Sequence, residues 1–298
     1  MSKIVIVAES GSDIEKEVAD KYNIYVLPMH VVMDGESLDD GFFPVEKVFA
    51  YYDEHKKLPT SSATNPSEYS AVFEVINKKY PGCQILHLCY SAVTTATYQN
   101  ATIASEDFDN VTHVDTKGVT AGQRAIIIKA AKYIETHPDA TISEVVSELE
   151  KWIACSYMAF IPSTLDYLLA GGRVSNAAYM GANILKLKPV ITIENGYLVS
   201  NKRYRGSMMK TCKKLLSDTI EKYQLESESI YLLYSEGLPQ EIKQMAESYL
   251  EEHGYTNVPW VKTGCVISVH GGPGAFGLGG FILDIQLQNL QIKLKNLP

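Results

Sequence analysis

The first half of the chain alternates short β-rich runs with amphipathic helices, and this alternation constrains the fold more than any other feature. A run at Ile4–Ala8 precedes a helix that we expect to reach about Tyr22. The runs Gln84–Cys89 and Val111–Val114 are likewise each followed by a predicted helix. Parallel neighbouring strands need crossover connections, which helices usually supply. The pattern therefore predicts an α/β fold with a parallel, Rossmann-like sheet covered by helices on both faces.

Three motifs have the pattern of a capping box, in which two side chains bond to the first free N–H groups of a helix. They are Ser12-Asp-Ile-Glu15, Asn65-Pro-Ser-Glu68 and Thr141-Ile-Ser-Glu144. Each precedes apolar residues at helical spacing. We therefore predict that a helix begins at each motif.

The pattern changes near residue 160, and at about 150 residues per domain a chain of 298 residues has room for two domains. We expect them at 1–160 and 161–298. Asn195-Gly196 between two β-rich arms predicts a hairpin, and a short helix from Leu165 should stop at Gly171-Gly172. Further strands are predicted at Ile230–Tyr234, Val258–Val261 and Val266–His270. The second domain is thus expected to be α/β with a mixed sheet. The apolar residues of 285–298 match neither the helical nor the strand spacing.

Composition excludes several classes of function. Hydrophobic residues make up 46% of the chain, the longest apolar runs have the length of strands, and the net charge is −8 with no Lys/Arg cluster. We therefore expect no membrane span and no nucleic-acid or anionic-membrane partner. The five cysteines are scattered without metal-ligand spacing, which is typical of buried thiols in a cytoplasmic protein. No metal is expected.

A literal GxGxxG motif runs from Gly272 to Gly277, after a predicted strand. A dinucleotide site also needs a following helix and strand, and an acidic residue about 20 positions on. The chain ends 21 residues after Gly277, so the motif does not predict such a site. A glycine-rich turn beside His270 could instead receive an anion. Equally, His270 could be a half-buried structural histidine and the glycines a tight turn.

Small hydroxyl side chains crowd two loops, at Thr60–Thr64 and Ser91–Thr97. Hydroxyl groups can donate to a carboxylate or phosphate without adding a second full charge, which suits a buried anionic head with an apolar tail. Serine and threonine also cap helices, and we favour that interpretation for Thr64 and Thr94. Neither loop has the GxSxG pattern of a nucleophilic serine.

Basic residues are few, and Arg173, Arg203 and Arg205 lie beside glycines or beyond the predicted hairpin. A planar guanidinium can bind phosphate oxygens in a bidentate manner. Solvated surface arginines are the alternative interpretation, because exposure is the norm for this residue.

Ten strings of residues, in order along nearly the whole chain, resemble the DegV family of bacterial fatty-acid-binding proteins. They are Ile6–Ser10 with Asp13, Val26–Met29, Asp40-Gly41, Ser61-Ser62 with Asn65-Pro66, Ser91–Gln99, Val114–Lys117 with Gly122-Gln123, Thr164–Leu168 with Gly171–Ser175, Lys188–Ile191, Arg205-Gly206, and His270 with Gly272-Pro-Gly274. The family includes the acyl-carrier subunits of fatty acid kinase. The resemblance implies a long-chain fatty acid bound between the two domains.

The resemblance also implies roles for particular residues. The fatty-acid carboxylate would be bound by Ser61, Ser62, Ser91, Thr95 and His270. Arg173 and Arg205 would take part in phosphotransfer or contact a fatty acid kinase catalytic subunit.

Four motifs depart from the family pattern. The usual Thr-Asp near the end of the first strand is Ala8-Glu9 here, the usual Thr-Ser pair is Ser61-Ser62, and the second serine of a Ser-Ser pair is Ala92. The serine of the family's Ser-Gly-Thr-Tyr string is Thr95.

Two helical stretches of the second domain are candidates for the wall of the acyl tunnel, at Leu168, Met180, Ile184 and Leu185, although the same spacing would suit a plain core face.

The preferred hypothesis is a cytoplasmic carrier, not itself an enzyme, that binds a long-chain fatty acid, has no other cofactor and presents the carboxyl group to a kinase. The alternative is an enzyme for phosphoryl transfer or hydrolysis of a small anion, with His270 as acid or base. The sequence lacks a Walker motif, a metal-ligand cluster and a convincing triad. A third hypothesis is an interaction protein with a vestigial cleft.

Overall fold

The computed structural model describes residues 3–172 and 187–283, which form three β-sheets with helices packed on them. The strands are β1 Ile4–Glu9, β2 Tyr25–Leu27, β3 His30–Met33, β4 Glu36–Asp39, β5 Thr60–Ser62, β6 Gln84–Cys89, β7 Val111–Asp115, β8 Ser156–Ile161, β9 Leu187–Glu194, β10 Tyr197–Arg205, β11 Tyr231–Tyr234, β12 Trp260–Lys262 and β13 Phe276–Phe281. The helices are α1 Lys16–Tyr22, α2 Glu46–His55, α3 Pro66–Lys79, α4 Thr97–Ala104, α5 Thr120–Thr136, α6 Ile142–Cys155, α7 Asp166–Ala170, α8 Met208–Lys222, α9 Gln240–Glu252 and α10 Cys265–Gly271.

The first sheet is parallel, with the strand order β2-β1-β6-β7. Successive side chains of β1 point to opposite faces. Ile4 and Ile6 therefore join the core beneath α5 and α6, while Val5 and Val7 pack against α3 and α4. Helices cover both faces of this sheet, which confirms the predicted Rossmann-like architecture.

Two of the three predicted capping boxes are present, and one is wrong. The Asn65 and Thr141 side chains each accept a hydrogen bond from the backbone three residues on, at the start of α3 and α6. At the third, Ser10–Ser12 form a 3₁₀ turn and the Ser12 hydroxyl donates to the Glu9 carbonyl. Asp13 then adopts a left-handed conformation (φ 53°), so α1 begins only at Lys16.

The six-stranded sheet is mixed, with the order β10-β9-β8-β13-β11-β12. Among its described strands, β11 and β12 pair in parallel and the other neighbours are antiparallel. The predicted hairpin is confirmed: β9 and β10 are joined at Asn195-Gly196, both with positive φ. Strand β8, which spans residue 160, belongs to this sheet. Helix α5 packs between it and the parallel sheet.

The prediction of a strand at Val266–His270 is wrong, because these residues belong to helix α10. The Asp13 carboxylate accepts a hydrogen bond from the Gly264 N–H, and Asp40 accepts from the N–H groups of Cys265 and Val266. Satisfying the first free donors of a helix in this way outweighs the β propensity of valine and isoleucine.

Strand β13, which follows the GxGxxG turn, has no counterpart in the sequence-based prediction. Its sequence, FGLGGF, is rich in glycine, which strands usually disfavour. A Cβ at Gly277 would come within 2.7 Å of the Ala159 carbonyl oxygen on β8. The glycine thus permits close packing of two strands. The turn connects a helix to a strand, the reverse of the order in a dinucleotide site.

The small third sheet has the order β4-β3-β5 and is antiparallel. The first half of the Thr60–Thr64 segment, predicted as a loop, forms its edge strand β5. Helix α10 packs on this sheet and on α2, where Val266 and Val269 join a core with Val31 and Val48. A helix from the end of the chain therefore completes a core built by its beginning. No helix among the described residues is long and apolar enough to cross a membrane.

Candidate functional site

A cavity of about 240 Å³ lies where the three sheets meet. From β1 the chain first adds β2 on one side of the parallel sheet and later returns to add β6 on the other side, so the strand order reverses at β1. Ligands of open α/β sheets bind at such a reversal, outside the carboxyl ends of the strands. The loop after β6 reaches the cavity with Tyr90, Thr94 and Thr95. The fold therefore places this cavity where a ligand site is expected.

Most of the cavity wall is apolar. It is formed by Met158 and Phe160 on β8, Leu233 on β11, Leu198 on β10, Leu168 on α7 and Val266 on α10. Leu168 is the member of the predicted tunnel wall that the structure places there. Met180, Ile184 and Leu185 lie outside the described residues.

One end of the cavity is polar. The Ser61 Oγ and the His270 Nε2 lie 2.7 Å apart, although the two residues are 209 positions apart in sequence. Which atom donates depends on the imidazole tautomer. Ser62 and Thr95 line the same cavity. Four of the five predicted carboxylate-binding residues are thus brought together by the fold.

The hydroxyl groups of the cavity differ in whether they are already bonded. Within the described chain, the Ser62 and Thr95 hydroxyl groups have no hydrogen-bond partner. By contrast, Thr120 donates to Asp13, Thr263 bonds to Ser268, and Ser235 donates to the Gly272 carbonyl. Polar groups in a ligand site need partners. Among the serine and threonine residues of the described cavity wall, Ser62 and Thr95 are therefore the two whose hydroxyl groups are not already bonded within the protein.

Ser91, the fifth predicted carboxylate ligand, has a different environment. It is buried, its hydroxyl donates to the Gly196 carbonyl at 2.8 Å, and it is not among the described residues that line the cavity. This bond joins the β6 loop to the tip of the β9–β10 hairpin. In the structure, Ser91 therefore holds two cavity walls together.

The structure describes one of the two candidate arginines, and that one does not line the cavity. Arg205 is exposed at the end of β10, opposite Leu187, and is not among the described residues that line the cavity. Arg173 lies outside the described residues.

Two buried carboxyl groups near the cavity were not singled out as functional by the sequence. Asp13 and Asp40 face each other across the start of α10, the helix that carries His270. Burial raises the pKa of Asp13 to about 8 and also raises the pKa of Asp40. Both residues fall in strings that resemble the DegV family, which is the signal that could have identified them.

Glu9, a departure from the family pattern, is fully buried below the cavity. It accepts hydrogen bonds from the Tyr69 hydroxyl and the Tyr90 N–H and bonds to His87 Nε2 at 2.6 Å. Burial acts to raise the pKa of Glu9, but the charge and hydrogen bonds of these neighbours outweigh it and lower the pKa. Glu9 thereby fixes the backbone of Tyr90, which lines the cavity.

Among the residues that the structure describes, two groups of side chains have donor atoms close enough to suit a metal ion: Glu9, His87 and Cys89, and His30, Asp39 and Glu68. In the second group, the two ring nitrogens of His30 bond to the two different carboxylates. In the first, Glu9 is already bonded to His87. Hydrogen bonding within each group accounts for these arrangements.

Gly171, at the end of α7, permits the observed position of the His270 ring. A Cβ at residue 171 would clash with the imidazole Nδ1. We expect Gly171→Ala to lower the free energy of unfolding by about 1–3 kcal/mol, the usual cost of overpacking. The loss should shrink in a His270→Ala background, where the clash is removed, and urea denaturation of the four proteins measures this coupling.

Gly172→Ala is the matched control. Gly172 has a φ of +65° and open space around its α-carbon, so its cost of about 1 kcal/mol should be equal in both backgrounds. Equal losses for Gly171→Ala in both backgrounds would show that His270 does not depend on this glycine.

Comparisons with known proteins agree with this architecture. A family model described as "Uncharacterised protein, DegV family" matches residues 3–282. A DegV domain-containing protein of Mycoplasmopsis pulmonis is 30% identical over 277 residues, covering 93% of this chain and 94% of that protein. A Thermotoga maritima protein, whose structure is described as revealing a fatty acid binding function, superposes with a TM-score of 0.75 at 25% identity and covers 95% of this chain and 100% of that one.

A more distant structural relative has the same fold. It is the B3 protein of the Streptococcus pneumoniae fatty acid kinase, loaded with linoleic acid, with a TM-score of 0.77, 16% identity and coverage of 94% of this chain and 99% of that one. The family match extends over nearly the whole described chain and includes the parallel sheet, the mixed sheet and α10. The chain belongs to the DegV family.

Proposed function

We propose that the chain binds a long-chain fatty acid in this cavity, with the carboxylate at the Ser61–His270 end. The observation that carries the proposal is the distribution of polar groups. Ser62 and Thr95, whose hydroxyl groups have no hydrogen-bond partner among the described residues, line the same cavity as the Ser61–His270 pair, and most of the remaining wall is apolar. Such a cavity suits a ligand with one anionic head and an apolar tail.

The apolar wall supplies most of the affinity in this proposal. Each methylene removed from water contributes about 0.8 kcal/mol. The hydroxyl groups and the imidazole fix the orientation, because a carboxylate buried without donors would be strongly unfavourable. The Thermotoga relative with fatty acid binding function supports this ligand class.

A hydrolytic or phosphoryl-transfer enzyme is not favoured. Ser61 and His270 do form a serine–histidine pair. However, a nucleophilic serine also needs a group that orients the imidazole from its other nitrogen. Gly171 lies against the Nδ1 side of the ring, and a relative of this fold is described as having a fatty acid binding function. The pair is better suited to binding a carboxylate than to activating a nucleophile.

Mass spectrometry of a lipid extract from the purified protein tests the ligand class directly. We expect a near-stoichiometric fatty acid of roughly 14–18 carbons, since affinity grows with each buried methylene. Protein that contains no acid, and that binds none when it is added, would contradict the proposal.

Loss of the cavity hydroxyl groups should weaken binding without unfolding the protein. Ser62→Ala and Thr95→Ala should each raise the dissociation constant about fivefold, since a hydrogen bond contributes on the order of 1 kcal/mol. Ser61→Ala and His270→Ala should have larger effects, because each change also leaves the other member of the pair without its partner. Displacement of a fluorescent fatty acid measures the constants.

Thr102→Ala is the matched control, because Thr102 is an exposed residue of α4 whose hydroxyl bonds only to the Tyr98 carbonyl. A triple Ser61, Ser62 and Thr95 alanine variant with unchanged affinity would place the head group elsewhere.

We further propose that the bound acid is presented to a fatty acid kinase catalytic subunit in the cytoplasm. Support comes from the shared fold with the pneumococcal kinase protein. The cysteines are free thiols, as is typical of a reducing compartment. Arg205 is exposed and so accessible to a partner, and Arg173 is the second candidate from the sequence. A guanidinium can bind the phosphate group that forms on the carboxyl oxygen.

Replacing these arginines should separate binding from transfer. Arg205→Ala and Arg173→Ala should slow acyl-phosphate formation by a kinase subunit with ATP, while fatty-acid affinity stays within about twofold, since removal of one exposed charge costs little. Lys78→Ala, an exposed cation on α3, is the control. Normal turnover of both arginine variants would show that Arg173 and Arg205 are ordinary surface arginines with no part in phosphotransfer.

A further inference from the structure

Helix α10 belongs to the second half of the sequence, yet residues of the first half hold both of its ends. At its carboxyl end, His270 bonds to Ser61 on β5. At its amino end, the carboxylates of Asp13 and Asp40 accept the first backbone N–H groups. The helix has seven residues, so its ends are only about 10 Å apart at 1.5 Å per residue. A shift at one end must therefore move the other.

The contacts at the amino end are close and specific. Gly264 N donates to Asp13 Oδ1 at 2.7 Å, and Cys265 N donates to Asp40 Oδ1 at 2.7 Å. The Ser10 hydroxyl donates to the second oxygen of Asp40, also at 2.7 Å. A Cβ at Gly264 would lie 3.0 Å from Asp40 and 3.2 Å from Asp13. The absence of a side chain at Gly264 lets both carboxyl groups reach the same end of the helix.

The two carboxyl groups lie directly behind the cavity wall. Neither is among the described residues that line the cavity. Thr120, which does line it, donates to Asp13, and Thr263, which also lines it, directly precedes Gly264. Asp13 and Asp40 therefore act on a ligand only through the groups they hold.

We propose that Asp13 and Asp40 are positioning residues for the ligand head group: by holding the amino end of α10 they set the position of His270 opposite Ser61. This inference rests on the proposed function, because the head group in question is the fatty-acid carboxylate. Loss of either carboxyl group leaves α10 in its binding position for a smaller fraction of the time. The apparent affinity falls in proportion to the fraction of time that α10 spends in its binding position.

The proximity of the two acids makes this positioning sensitive to pH. Like charges in a buried site oppose the loss of the second proton. Burial, with a further contribution from Asp40, raises the pKa of Asp13 to about 8. At pH 7 Asp13 is therefore mainly neutral. As the pH rises toward 8, Asp13 increasingly carries charge beside Asp40, so the hold on His270 loosens up to about pH 8 and changes little above it.

Other charged and titratable groups face this pair from the surrounding elements. They are Arg124 on α5, whose Nη1 donates to the Asp13 carbonyl; Glu15, which pairs with Arg124; the Cys265 thiol on α10, whose pKa burial raises to about 12; and Lys262 on β12, which pairs with Glu46 and Glu236. Arg124 favours the charged form of Asp13, but less than burial opposes it. A titration near pH 8 is thus assigned to the Asp13–Asp40 pair.

The experiment measures fatty-acid affinity between pH 7 and pH 9.5, above the range in which an ordinary imidazole or fatty acid titrates. The unmodified protein should lose about threefold or more in affinity between pH 7 and pH 8 and then level off, because a carboxyl group whose pKa is raised to about 8 in the binding arrangement weakens that arrangement only up to that pH. Asp13→Asn, which keeps an acceptor for Gly264 but cannot ionise, should show a flat profile. Asp13→Ala should bind about fivefold or more weakly at every pH, because the acceptor is lost, and the asparagine variant should recover part of this loss.

A second readout needs no lipid. In the free protein, the imidazole ¹⁵N signals of His270, assigned by their loss in His270→Gln, should shift with a midpoint near pH 8 and remain constant in Asp13→Asn. The exposed Asp109→Asn is the matched control and should behave like the unmodified protein in both readouts. If Asp13→Ala does not fold, Asp40→Asn takes its place in the experiment. This variant should also remove the pH dependence.

The outcomes separate the two proposals. If the protein binds no fatty acid at any pH, the proposed function fails, and the His270 signals alone decide the positioning role. If Asp13→Asn keeps the pH profile of the unmodified protein in either readout, the positioning role is wrong even though fatty-acid binding stands.

Discussion

The hold on helix α10 is the interaction on which the rest of the site depends. Two buried carboxylates accept its first N–H groups, and valine side chains of the helix complete a core made by β3 and α2. Free helix ends otherwise leave N–H groups without partners, which is costly in a buried environment. This arrangement converts a β-prone segment into a helix and brings His270 to Ser61.

Hydrogen bonds within the protein determine which parts of the cavity wall can interact with a polar ligand. Threonine and serine residues occur around much of its wall, but most of their hydroxyl groups are already hydrogen-bonded within the protein, as Thr120 is to Asp13. A hydroxyl group that is already bonded adds little to anion binding, so the wall behaves as an apolar surface. In the described part of the wall, polar groups that remain for a ligand are those of Ser62, Thr95 and the Ser61–His270 pair. This asymmetry suits a fatty acid bound in a single orientation.

Much of the fold could be predicted because its signals are local. The Asn65 and Thr141 capping boxes and the Asn195-Gly196 turn depend on residues within a few positions of each other, and all three are confirmed. The predictions that failed concern segments whose structure depends on distant partners. Ser12 does not cap a helix because Asp13 turns toward Gly264, 251 positions away. Strand β13 was missed because its glycines serve close packing against β8.

The order of residues along the chain already implies the alternating α/β architecture, the hairpin and the set of residue types available for an anionic head group. These follow from periodicity, turn chemistry and composition, which act over short distances along the chain. Tertiary structure alone decided which of those residues meet. It joined Ser61 to His270, directed the Ser91 hydroxyl to the Gly196 carbonyl of the hairpin, and buried Asp13 beside Asp40. The reason is physical: a hydrogen bond between residues some 200 positions apart depends on the packing of whole elements, which no local pattern encodes.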